Sequence, residues 1–208
     1  MKERGIIFNG EMVRATLSGQ KTQTRRVVKS QPDEDGLARL RGGPWMDTSE
    51  RVYRCPFGQP GDRLWVRETS GLQVRRDALG GTGEFRVYRA SNPDAIRFTT
   101  ASGKIYPIKW IPSIHMPRYA SRILLEITDV RVERLNDISE EDCWAEGIDA
   151  VDGRFENAEI IDMARKTGCC IDDAKPMFAL LWQSIYGEES WQANPWCWTI
   201  TFKRIEGA

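Results

Sequence analysis

One amine, two hydroxyls and two guanidinium groups fall within six residues of this chain, Lys21-Thr22-Gln23-Thr24-Arg25-Arg26, directly behind Gly19. A lysine taken out of water has its pKa lowered and can serve as a general base; a hydroxyl beside it then becomes a nucleophile. If Lys21 to Thr24 forms a turn, the amine and the Thr24 hydroxyl lie on one side. In a fully extended strand they would point to opposite faces. Two plainer readings stand beside this one. The segment can be a solvated basic turn, or Arg25 and Arg26 can contact phosphates without any catalysis.

These groups need elements to hold them. Glu11 to Ser18 reads as a short helix, and Gly19 suits the left-handed position that ends one. Ile6 to Phe8 precedes it as a short apolar start, with an Asn9-Gly10 turn between. Residues 27 to 60 are rich in Gly, Pro and charge and read mostly as loop. Pro60-Gly61-Asp62 is a turn signal leading into a strand over Arg63 to Glu68. Between 70 and 106, short strands such as Phe85 to Tyr88 alternate with turns at Gly80-Gly81, Asn92-Pro93 and Ser102-Gly103. Pro112 and Pro117 make Trp110 to Arg122 an irregular loop.

Alternation from Ile123 to Val132 predicts a long strand with a bulge near Asp129. Ser139 caps a helix over Glu140 to Glu146, with acids in its first turn and Gly147 as its stop. Two further helices are expected, over Phe155 to Lys166 and Met177 to Tyr186; in the latter Phe178, Leu181, Trp182 and Ile185 recur at helical spacing. The chain closes on a strand in which Trp196, Trp198, Ile200 and Phe202 share one face, read as an edge of the core. Trp65, Ile127, Val130, Ile200 and Phe202 are expected in that core. Strands joined by irregular connections, with helices near both ends, suggest an α+β fold: a small β-barrel decorated by helices.

Composition narrows the function classes. At 208 residues the chain reads as one domain, and its 30 basic and 30 acidic residues cancel. Any polyanion site must therefore be a local patch. Five cysteines without a CxxC pair point to reduced thiols and a cytoplasmic protein, and adjacent Cys169 and Cys170 are poorly placed to bridge each other. A single histidine and no paired ligand spacing argue against a zinc site. No apolar run is long enough to span a bilayer, and no signal-peptide pattern opens the chain.

Three further sets of residues are candidates. Glu146 lies in the last turn of its helix, where a negative charge opposes the macrodipole, as a residue kept for a partner such as Lys21 would; a solvated helix-end glutamate is the plain alternative. His115 and Arg118 sit in a loop stiffened by two prolines and can face a phosphate or base; a structural histidine bonded to backbone is the alternative. Trp65 and Arg67, two apart on one strand, share a face and can stack on and charge-pair with a nucleotide, although a strand tryptophan can equally be core. Trp45, Trp110 and Trp191 lie in predicted loops and are further candidates for exposed stacking.

Four pieces in order resemble the ASCH superfamily, whose barrel is similar to the PUA domain. They are Leu17-x-Gly19-x-Lys21-Thr22-x-Thr24-x-Arg26; Gly61-Asp62 before Leu64-Trp65-Val66; the strand Ile123 to Arg134 with Ile138-Ser139-Glu140-Glu141-Asp142 and Ala145-Glu146-Gly147; and Trp198 to Phe202. In length and wording the chain looks most like ASCH proteins of phages and prophages. The resemblance implies RNA, nucleotide or nucleoside binding. Some compact members hydrolyse the N4-acetyl group of acetylated cytidine with a Lys, a Thr and a Glu, which match Lys21, Thr24 and Glu146. No metal or cofactor is implied. Against those members this chain carries extra segments at about 69–121 and 149–193, within one ASCH/PUA-like domain spanning 1–208. They could wall the pocket, open it to a longer polynucleotide or bind a partner. Three functions follow: an amidohydrolase on N4-acylated cytidine; a non-catalytic RNA or nucleotide reader using Arg25, Arg26, Arg67 and Arg118; or a ribonuclease pairing Lys21 with His115.

Overall fold

A computed structural model of the protein describes residues 1–39, 44–76, 81–148, 150–151, 154–155, 158–168 and 173–205. The fold is mixed α+β. Strand β1 (Glu3–Ile7) is followed by helix α1 (Gly10–Leu17), where the Asn9 side chain caps by accepting from the Met12 amide, and then by β2 (Gln23–Val27). The stretch read as loop holds a small antiparallel sheet of β3 (Ala38–Arg39), β4 (Trp45–Met46) and β5 (Val52–Tyr53). Next come β6 (Arg63–Arg67), the hairpin β7 (Ser70–Arg76) and β8 (Thr82–Tyr88), and the pair β9 (Ile96–Thr99) and β10 (Ile105–Pro107). The predicted turn at Gly80-Gly81 lies partly outside the described residues.

The long strand is β11 (Leu124–Arg134), followed by α2 (Glu140–Ala145). The helix predicted from Phe155 begins later, as α3 (Ala158–Thr167), because Phe155 belongs to the short pair β12 (Ala150–Val151) and β13 (Arg154–Phe155). Helix α4 (Ala174–Tyr186) starts three residues before the predicted Met177, with Pro176 in its first turn, where a missing N–H costs nothing. The chain then forms β14 (Trp196–Ile205).

The main sheet has five strands in the order β1-β6-β11-β14-β2, parallel between β1 and β6 and antiparallel elsewhere. It is open, so the predicted closed barrel is corrected: no backbone ladder joins β1 to β2 among the described residues. The chain leaves β1 at the Asn9 cap, and α1 packs Val13, Met12 and Leu17 against the core that the sheet encloses. A side chain spans the opening, since Arg26 Nη2 on β2 donates to Ile7 O on β1 at 2.9 Å.

The predicted bulge is present at Thr128, between the pairs Ile127–Phe202 and Asp129–Thr201. It falls where β11 parts from β6. There the Gly61-Asp62 turn takes over, Gly61 N donating to Ile127 O at 2.8 Å and Ile127 N to Asp62 O at 2.9 Å. Asp62 closes the turn by accepting from Lys2 N at 2.7 Å and Arg4 Nη1 at 3.1 Å.

Two hydrophobic clusters result. The first gathers Ile6, Phe8, Val13, Leu64, Val66, Ile127, Val130, Trp198, Ile200 and Phe202 between the sheet and α1. The second joins Leu135, Cys143 and Cys197 to Ile160, Met177, Phe178 and Trp182 of α3 and α4. Trp65 is corrected out of the core: Leu64 and Val66 take the inner face of β6, leaving Trp65 and Arg67 half-buried on the outer one. The final strand presents its predicted apolar face to the core but is not at an edge of the sheet. It runs between β11 and β2, with Trp198, Ile200 and Phe202 in the first cluster and Cys197 in the second.

Candidate functional site

The lysine is set by three chain segments that meet at it. Gly19, at φ +84°, ends α1 as predicted. Lys21 N then donates to Ala15 O at 2.9 Å, Thr22 N to Ala145 O at 2.8 Å, and Phe202 N to Thr22 O at 2.8 Å. Gly147 permits the junction twice over. Its φ of +77° is the left-handed conformation that stops α2, and a Cβ there would lie 2.8 Å from the Cβ atoms of Ala15 and Lys21. With no side chain in the way, the end of α2 closes on Lys21.

Glu146, the residue after α2, turns inward. Lys21 Nζ donates to Glu146 O at 2.6 Å and to Glu146 Oε2 at 2.8 Å. Arg25 Nη1 donates to Glu146 Oε1 at 3.3 Å and to Gln23 Oε1 at 2.6 Å; Arg25 Nη2 reaches Asp142 Oδ2 at 2.9 Å and also Glu133 Oε1. Asp142 and Glu146 lie four apart, on one face of their helix. Arg131 bonds both Glu133 and Asp142, and Thr199 Oγ1 donates to Glu133 Oε1 at 3.0 Å. Lys21, Arg25 and Arg131 thus face Glu133, Asp142 and Glu146, three cations against three carboxylates. Buried charges are tolerated only with such pairing.

Burial pulls the Lys21 pKa below its ordinary value; the Glu146 carboxylate opposes this without overcoming it. Two of the Nζ hydrogens account for the two bonds to Glu146. Asp142 titrates below the ordinary range: burial raises it, but hydrogen bonds from Arg131 and Gln23 and the Arg charges outweigh that. Burial pushes the thiols of Cys143 and Cys197 up to about 12, so neither is a nucleophile at neutral pH. Cys169 and Cys170 lie outside the described residues.

Lys21, Thr24 and Glu146 line one narrow pocket. Its roof is α4, through Phe178, Leu181, Trp182, Ile185 and Tyr186, and Met12 of α1 contributes a wall. Its free volume is about 10 Å³, room for about one water-sized group. Thr24 is buried on β2 opposite Ile200, and its hydroxyl has no hydrogen-bond partner. Arg25 Nε and Trp182 Nε1, on two more residues lining the pocket, are also buried without partners. An unpaired buried polar group destabilises by about 1–3 kcal/mol, so three on residues that line one pocket mark it as the candidate site.

The remaining predicted residues scatter. Arg25 does not belong to an exposed basic patch: it is 1 % exposed and spent on three carboxylates. Arg26 stays at the pocket, half-buried, with Nη1 donating to Tyr186 Oη at 3.2 Å and its guanidinium over the Phe8 ring. Trp65 and Arg67 do share a face, the guanidinium 5.4 Å from the indole, but Arg67 is tied to Ser113 O and Ile114 O. His115 is exposed in the turn Ser113–His115 and Arg118 pairs with Glu3 at 2.9 Å; neither lines the pocket of Lys21. Trp45 and Trp191 are half-buried against the two clusters, Trp45 with a side on a separate cleft, and Trp110 is half-buried in its loop; none lines the pocket of Lys21.

Sequence reasoning missed Glu133, Asp142, Arg131 and Gln23. Asp142 was hidden because acids in a first helical turn are explained by the dipole alone. Arg131 and Glu133, two apart on β11, share the face that meets Thr199 and Cys197. A charged pair opposite a buried strand was the available signal. Among the described residues no three His, Cys, Asp or Glu side chains converge to hold a metal, and no helix is long and apolar enough to cross a membrane. No protein family, curated protein or solved structure compared with this chain matches it.

Proposed function

We propose that this protein is an amidohydrolase that removes an acyl group from N4-acylated cytidine, with Thr24 as nucleophile, Lys21 as proton acceptor and donor, and Glu146 holding Lys21. The observation that carries the reading is the Thr24 hydroxyl, buried and without a partner in the pocket of a buried amine whose pKa is lowered. A structural threonine would find a partner or be replaced by valine. The two Glu146 oxygens hold two hydrogens of the amine, and once deprotonated Lys21 would take the Thr24 proton on approach to the unpartnered hydroxyl. Acyl transfer to an activated hydroxyl, then hydrolysis of the ester, is the chemistry this pair performs.

The choice of an acylated cytosine nucleoside comes from the ASCH resemblance. In support, two of the four stretches supply Lys21, Thr24 and Glu146 to the pocket, and a third pairs with Thr24 through Ile200. On this reading the chain is one domain with added segments at about 69–121 and 149–193, and the second segment supplies the roof, α4. A free volume of about 10 Å³ admits the acyl carbonyl but not a pyrimidine, so Ile185, exposed at the rim, must swing aside as the base enters. The ribonuclease reading falls behind, because it needs His115 beside Lys21.

A second reading, binding of a nucleotide or RNA, has an observation of its own. A cleft of about 470 Å³ is lined by Lys2, Arg4, Arg39 and Arg54 together with Trp45 and Tyr53, cations interleaved with aromatic rings. It shares no lining residue with the Lys21 pocket, so the two readings are compatible.

The test is incubation with N4-acetylcytidine, followed by separation of cytidine from substrate, with Thr24→Val as control. Release of cytidine by the wild type and not by the variant is expected. No turnover of any N4-acylated cytidine by the wild type would overturn the amidohydrolase reading.

A further inference from the structure

Attack on an amide carbonyl puts a negative charge on its oxygen, and a hydrolase must meet that charge with a donor already in place. The donors around the pocket are mostly committed. Lys21 bonds Glu146 through two of its hydrogens, Arg26 is engaged by Tyr186 and Ile7, and both Nη atoms of Arg25 are held by carboxylates and Gln23. Two N–H groups are left, Arg25 Nε and Trp182 Nε1. The Arg25 guanidinium faces Glu133, Asp142 and Glu146, whose field opposes a further negative charge. The Trp182 indole is neutral and has no such neighbour bonded to it.

We propose that the indole N–H of Trp182 is the oxygen-binding donor of this pocket, receiving the acyl carbonyl of the substrate and the oxyanion formed from it. The ring is 3 % exposed and fixed on both sides, its centroid 6.1 Å from that of Phe178 and 4.3 Å from that of Tyr186. A donor held rigidly away from water needs no reorganisation when charge develops. Packing alone would be served by phenylalanine, which carries no orphaned N–H. Because α4 lies in the segment that compact ASCH members lack, this donor is specific to the longer chain.

The oxygen-binding role stands on the pocket; its part in turnover rests on the amidohydrolase reading. In that reaction Thr24 Oγ bonds to the acyl carbon as the carbonyl π pair moves to oxygen, which accepts from Trp182 Nε1. The Thr24 proton passes to Lys21 Nζ. The oxygen pair then re-forms the carbonyl, the bond from carbon to N4 breaks, and Lys21 returns the proton to N4, releasing cytidine and leaving acyl-Thr24. A water that gives its proton to Lys21 adds to the ester carbonyl, whose oxygen again draws on the indole. Collapse frees the carboxylic acid and restores the Thr24 hydroxyl.

The experiment has two arms. Kinetics on N4-acetylcytidine compare the wild type with Trp182→Phe, and the assigned indole N–H resonance of Trp182 is followed in the 15N-labelled wild type during titration with cytidine and with acetate. The proposal expects kcat to fall about 100-fold with KM nearly unchanged and melting preserved, as for loss of one oxyanion donor, and the indole resonance to move downfield saturably. Wild-type kcat in a folded Trp182→Phe would overturn the proposal and leave the amidohydrolase reading intact. A saturable indole shift without any turnover would remove that reading and keep the oxygen-binding site. Neither turnover nor shift would overturn both.

Discussion

The Lys21 amine gives hydrogens to two oxygens of a single residue, the backbone carbonyl of Glu146 at 2.6 Å and its carboxylate at 2.8 Å. One residue therefore fixes both the position and the charge environment of the proposed base. The carbonyl bond cannot be removed by changing the side chain, so Glu146 variants keep Lys21 roughly in place while altering its proton affinity.

The ion pair should couple strongly. Lys21→Met leaves Glu146 bonded to Arg25 alone, and Glu146→Gln leaves Lys21 without its counter-charge; each is expected to destabilise by about 3 kcal/mol. The double variant should be milder than the sum, because neither charge is then stranded. Urea unfolding of the four proteins measures the coupling, and simple additivity would show that the two groups do not act as a buried pair.

Stability should depend on pH through Lys21. Its folded pKa lies below the unfolded value of about 10.4. Between the two values the unfolded chain holds more protons, so stability rises with pH across that window and is flat above it. Activity should rise along the same limb as the amine loses its proton. The difference in melting temperature between the wild type and Lys21→Met should change with pH from about 7 to 10; parallel curves would mean that another group is responsible.

Thr24→Val separates function from structure. The hydroxyl has no partner to lose, and the exchange keeps the shape, so stability should stay within about 1 kcal/mol of wild type or increase. Turnover should disappear. A marked fall in melting temperature would mean that the hydroxyl has a structural partner after all.

Gly147→Ala should damage the site from behind. The added methyl would meet Ala15 and Lys21 at 2.8 Å on a backbone at φ +77°. Each fault costs of order 1 kcal/mol, and both act together. Loss of at least 2 kcal/mol in urea unfolding, with reduced activity in the folded fraction, is the expected outcome.

Much of the site was legible because its signals are local. The stop at Gly19, the cap at Ser139, the stop at Gly147 and the bulge on the long strand all follow from backbone preferences of a few residues, and all are present. What lay beyond reach was contact between distant segments. Arg25 reads as a phosphate-binding cation until Asp142, Glu133 and Glu146 are known to surround it. Trp65 reads as core until the phase of β6 gives the inner face to Leu64 and Val66. The open sheet was likewise invisible, since strand patterns record which face is apolar and not which edge is paired.

The pairing of β2 with β14 carries a consequence for biogenesis. Residues Gln23 to Val27 find their ladder partners at Cys197 to Thr201, and Lys21 finds its carboxylate 125 positions along the chain. A ribosome delivers the proposed nucleophile and base long before the strand that seats them. Until β14 emerges, Lys21 has no fixed address and Thr24 no neighbour at Ile200. Topologies of this kind close slowly, because long loops must be ordered before any contact rewards them. The pocket accordingly cannot be complete before β14 has joined β2.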